Sequence, residues 1–190
     1  MATLAVGGTT VFDGSALQSG VTGDISGVTT FPTGICRNVY YDSDPTPQTG
    51  SSTANTWYDS NLSITTGTPT SVNSKYVIQG HFHLMDGNNC GAVRILRGTT
   101  EVGTMVGNAT GSAQRVTAVT SWQGFDANQR APVLSFTVYD DPDSTVALTY
   151  KLQYMTEGTT YYINRNENYG TDLYVYSAIA ISTLIVSEIS

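Results

Sequence analysis

Period-two alternation of apolar and polar residues, repeated along most of this chain, restricts its fold more than any other feature. Between Lys75 and Leu84 the even positions Tyr76, Ile78, Phe82 and Leu84 are apolar, while Gln79, His81 and His83 are polar. Leu134, Phe136 and Val138 alternate with Ser135, Thr137 and Tyr139. Leu148, Tyr150, Leu152 and Tyr154 alternate with Thr149, Lys151 and Gln153. Successive side chains of a strand point to opposite faces, so each segment predicts a strand with one core face and one wetter face. No ten-residue stretch carries the 3.6-residue period of a helix. Turn-forming clusters interrupt the runs: Asp44-Pro45 to Ser52, Asp140-Asp141-Pro142-Asp143-Ser144, and Glu157-Gly158. Asp86-Gly87-Asn88-Asn89 reads as a tight hairpin turn. Eight or more strands, with turns at roughly ten-residue intervals, predict an all-β chain: an antiparallel β-sandwich of the jelly-roll type.

Residues 1–33 have a different texture. Short apolar pieces such as Val11-Phe12 and Ile25 are broken by glycines, and none can bury a face alone. This segment reads as an extended N-terminal arm, or strand pair, that anchors on another surface. Residues 34–190 read as the jelly-roll domain. The run 178–186 is apolar at both parities, with Ile179, Ile181 and Ile185 on one and Leu184 and Val186 on the other. Such a strand belongs in a sheet centre or at a subunit interface. These five residues are the predicted interface, with Val186 taken as the end of the apolar run.

Charge narrows the possible partners. The net charge is −7, and the 8 Lys and Arg residues are scattered from Arg37 to Arg165 without forming a stripe. Nucleic-acid binding is therefore not expected, because no basic surface is available to neutralise phosphates. An acidic chain is repelled by anionic lipid, and no apolar run approaches the roughly 20 residues of a membrane span, so no membrane association is expected. The first residues lack the basic and long apolar regions of a secretory signal. Cys36 and Cys90 have no CxxC-type neighbours, and two free, mostly buried thiols are expected.

Few residues suggest chemistry. His81 and His83 share a strand face, with Asp86 nearby in sequence; two imidazoles fall short of the three or four ligands zinc takes, so a metal at His81 and His83 is the lesser alternative and would need three chains on an axis each to supply one His. A polar outer face or a subunit contact is the expected role of this pair. Asp140, Asp141 and Asp143 lack the spacing of a calcium loop and read as a turn. No nucleophile elbow, phosphate-binding loop or dinucleotide fingerprint occurs, and no enzymatic activity or cofactor is expected. The 12 tyrosines are the better hint, since exposed aromatic rings serve protein contacts and sugar platforms. Tyr40, Tyr41, Trp122, Tyr162 and Tyr169 are the candidate contact residues.

A series of short motifs runs in order through the chain. It comprises Trp57-Tyr58-Asp59, Ser74-Lys75, Leu96-Arg97-Gly98, Asp141-Pro142-Asp143, Tyr150-Lys151-Leu152-Gln153, Tyr162-Ile163-Asn164-Arg165 and Ser182-Thr183-Leu184 to Glu188-Ile189. Over about residues 36 to 190 this order resembles the short tail-fibre-like and virion structural proteins of marine tailed phages, cyanophages in particular. The Thr66–Pro69 stretch is one residue longer than that pattern, and 121–125 has no counterpart in it. The resemblance implies a jelly roll similar to the C1q and tumour-necrosis-factor fold, forming a homotrimer. It implies a non-enzymatic role on the virion surface, in capsid decoration or at a tail-fibre tip, with the N-terminal arm contacting other virion proteins. The protein would be made in the bacterial host cytoplasm. Recognition of a host polysaccharide is the alternative reading.

Overall fold

Alternation in the sequence becomes two antiparallel sheets in the computed structural model, which describes residues 3–6, 9–13, 36–86, 90–120, 132–166 and 179–190. The chain divides into two units, Met1–Thr33 and Gly34–Ser190. In the first, β1 (Thr3–Val6) and β2 (Thr9–Asp13) pair antiparallel, with a register shift between Leu4 and Ala5.

The second unit is an all-β sandwich of the jelly-roll kind. One sheet is built from β3 (Cys36–Asp44), β4 (Gln48–Ser51), β6 (Lys75–Met85), β10 (Val133–Asp140), β12 (Thr160–Ile163) and β13 (Ser182–Ile189). Its order is β3-β13-β6-β12-β4, and β10 also pairs with β6. The other sheet holds β5 (Trp57–Thr65), β7 (Gly91–Arg97), β8 (Thr100–Glu101), β9 (Ala118–Val119) and β11 (Thr149–Thr156). There β11 lies between β5 and β7, and β7 pairs with both β8 and β9. β13 thus sits between β3, the first strand of this unit, and β6.

The core lies where the predicted parity puts it. Tyr76, Ile78, Phe82 and Leu84 of β6 face Leu62 and Ile64 of β5, Val93 and Ile95 of β7, and Tyr150, Leu152 and Tyr154 of β11. Within this parity Gly80 of β6 has no side chain to give, and Phe136 of the paired strand lays its ring into that space. A Cβ at Gly80 would come within 2.2 Å of that ring.

Three sequence expectations need correction. β6 and β7 belong to different sheets, so these two strands do not form the hairpin expected at 86–89, of which residues 87–89 lie outside the described residues. The Leu96-Arg97-Gly98 segment does make a hairpin, between β7 and β8, with Gly98 at φ 63° supplying the left-handed residue. The terminal strand starts at Ser182 rather than at 178 and continues past Val186 to Ile189. It continues because the carboxylate of Glu188, which sequence alone would leave in solvent, is fully buried and satisfied within the fold. The cysteines are free as expected, but Cys36 is exposed and Cys90 half-buried.

Candidate functional site

The two sheets finish their outer surfaces in opposite ways. On the sheet of β5, β11 and β7 the outward residues are charged and paired. Lys151 reaches Asp59 at 2.9 Å, and Gln153 joins the same carboxylate. These donors hold the Asp59 carboxyl below its usual range, the Gln153 bond first and the Lys151 bond next. Arg94 donates to Gln153 at 2.8 Å, pairs with Glu101, and lies over the Trp57 ring at 4.3 Å. Such a surface is complete in water.

The outer face of β3, β13, β6 and β10 mixes apolar and polar residues, with its most exposed apolar side chains on β3 and β10. Register places Tyr41, Ile185, Gln79 and Thr137 in one row across the four strands. The adjoining row is Val39, Ser187, Val77 and Tyr139. Val39 is 63% exposed, Tyr41 60% and Tyr139 40%, while Ile185 and Val77 are half-buried between them. At the rim of this face Lys75 pairs with Asp141. Lone exposed apolar residues are ordinary, but a contiguous set along adjacent strands marks a contact surface.

The predicted interface residues separate accordingly. Leu184 and Val186 are fully buried in the chain's own core, and that part of the expectation is corrected: they leave nothing for a neighbour. Ile185 alternates to the outer face. Ile179 and Ile181 precede the strand and are 55% and 48% exposed. The strand is therefore central in its sheet, with only its outer parity open.

The candidate contact tyrosines separate by the same parity. Tyr40 turns inward, packs on the core, and its hydroxyl accepts a hydrogen bond from the Gly67 N–H at 3.0 Å, so it is not a surface platform. Tyr41 is on the outer face. Tyr162 is half-buried with the Arg165 guanidinium 5.4 Å from its ring centre. Trp122 and Tyr169 lie outside the described residues. Sequence reasoning missed Val39, Val77 and Tyr139, although the alternation of β6 and β10 already placed the last two opposite the core residues.

The titratable clusters are structural. His81 is exposed on the outer face, with Nδ1 2.9 Å from the Ser135 hydroxyl. Asp86 does not join the histidines. It is buried, and its Oδ2 accepts from the backbone N–H groups of Glu157 and Gly158, both at 2.7 Å. Burial pushes its carboxyl above the usual range against those two bonds. Among the described residues no three metal-ligating side chains converge. Asp140 is not part of a solvent turn. It ends β10 fully buried, held by Arg97 and by the Tyr150 hydroxyl.

Against this geometry, comparison with protein-family models and with curated proteins returns no match.

Proposed function

We propose that this chain is a non-enzymatic structural component of a tailed-phage particle, assembled as a homotrimer through the outer face of β3, β13, β6 and β10. The observation that carries the reading is the contrast between the two outer surfaces. One is closed by Asp59, Lys151, Gln153, Arg94 and Glu101, and the other is open at Val39, Tyr41 and Tyr139. Further copies of the chain cover the open face in a cyclic assembly, which exchanges water-exposed apolar surface for contact. The ordered motifs over residues 36 to 190 supply the virion setting, and residues 1–33 are the segment through which the trimer attaches to the particle.

The experiment is localisation on purified particles with a labelled antibody against the chain, beside a glycan array probed with the pure protein. Particle labelling without glycan binding is the expected result. Saturable binding to a polysaccharide, lost in Tyr41→Ala, would replace decoration with receptor recognition. Absence from the particle would overturn the virion role.

A further inference from the structure

Where β3 and β5 meet, each sheet of the sandwich ends in an edge strand, and side chains rather than a backbone ladder join the two. Among the described residues β3 pairs only with β13, and β5 pairs only with β11. Three inward-facing residues of β3 reach across the gap. The Tyr40 hydroxyl accepts from the Gly67 N–H at 3.0 Å, just beyond β5. Asp44 Oδ2 accepts from Asn61 Nδ2 of β5 at 3.0 Å. Asp42, between them, meets both sheets at once. Its Oδ1 accepts from the Ser43 N–H of β3 at 2.8 Å, and its Oδ2 from the Ser63 N–H of β5 at 2.9 Å.

An open strand edge is a template for a further strand, and folds blunt it with lysine, proline, bulges or inward-pointing charge. From Trp57 to Thr65, β5 holds no Lys, Arg or Pro, and on β3 the one cation is Arg37, near its start. A register shift between Asp59 and Ser63 bends the first half of β5, but Ser63 to Thr65 pair regularly with β11. Val39, Tyr40 and Tyr41 on β3, and Ile64 and Thr65 on β5, are residues that favour strands. Aspartate is depleted there. Its place within β3 is accounted for by the two edge amides it occupies, and an ionised acceptor holds such donors more strongly than a neutral one.

We propose that Asp42 is an edge guard: its carboxylate occupies one edge amide of each sheet and so prevents a strand of another copy of the chain from being added along the β3–β5 side. Every copy carries the same two edges, so an unguarded chain always has its own kind to pair with. The guard limits growth by strand addition and does not depend on the trimer proposed above.

Amide hydrogen exchange and sedimentation velocity of the full chain, wild type beside D42A, test it. The wild type should exchange the Ser43 and Ser63 amides slowly. In dilute D42A their protection should fall by about 10- to 100-fold, the worth of a hydrogen bond to a charged group. On concentration D42A should keep the circular dichroism of the wild type and form heavier species that bind thioflavin T. E157A removes the same charge at an exposed position and should sediment like the wild type. Free exchange of both amides in the wild type, a folded D42A that sediments like the wild type, or an E157A that grows like D42A would each overturn the guard. Should D42A lose its β-sheet spectrum, D42N takes its place, since it keeps the shape of the side chain and one acceptor oxygen while freeing one amide. A folded D42N without heavier species would overturn the guard equally.

Discussion

Asp140→Ala should lower the unfolding free energy by about 3–5 kcal/mol, the loss expected when one partner of a buried ion pair is removed. Asp140 is fully buried at the end of β10, while Arg97 and Tyr150 belong to the opposite sheet. Arg97 Nη1 reaches both carboxylate oxygens at 3.0 Å, and the Tyr150 hydroxyl donates at 2.8 Å. Burial, and then the bond to Asp140, push the Tyr150 hydroxyl well above its usual range, so it stays a donor. Truncation strands a half-buried guanidinium and a buried hydroxyl together. Urea unfolding followed by tryptophan fluorescence measures the loss. A change below about 1 kcal/mol, the range of exposed pairs, would mean that this bridge between the sheets does not hold them.

Glu188→Ala should cost about 3–4 kcal/mol, because each buried donor left without an acceptor is penalised. One carboxylate oxygen accepts from the Thr70 N–H at 2.7 Å, the Thr70 hydroxyl at 2.8 Å and the Ser74 hydroxyl at 2.7 Å. The other accepts from Asn38 at 2.6 Å. The C-terminal strand thereby fixes both the 66–74 loop and the start of β3. Burial alone would raise this carboxyl, but the donors from Asn38, Thr70 and Ser74 outweigh it and hold it below the ordinary glutamate value. A depressed native value means that the stabilisation is present above the unfolded-state value, about 4.3, and is lost as pH falls through the native one. Thermal unfolding from pH 7 to pH 3 should therefore show a steeper acid decline in the wild type than in Glu188→Gln. Equal slopes would contradict the assignment.

These two carboxylates show where sequence reasoning stops. The parity of β6, β10 and β11 was legible because it depends only on neighbours along the chain, and it put Tyr76, Phe82, Leu134, Tyr150 and Leu152 in the core. Asp140 sits in a run of acids before a proline and reads as a turn, since its partner Arg97 is 43 positions away. Glu188 reads as a solvated end, since its partner Asn38 is 150 positions away. Spacing carries no trace of such pairings. The sheet assignment of β6 and β7 fails for the same reason: Gly and Asn forecast a reversal, not which sheet receives the strand. Tyr40 and Tyr41 were separable in principle, because adjacent residues of a strand point to opposite faces.

The proposed assembly needs the outer face of β3, β13, β6 and β10 to be covered by further copies of the chain. The most direct test is the mass of the purified full-length protein in dilute solution at pH 8, by sedimentation equilibrium, beside Ile185→Lys. Three times the 20.3 kDa subunit mass for the native chain, and a folded single subunit for the variant, is the predicted outcome. A native chain that sediments as one soluble subunit, with Ile185→Lys indistinguishable from it, would show that water alone covers this face.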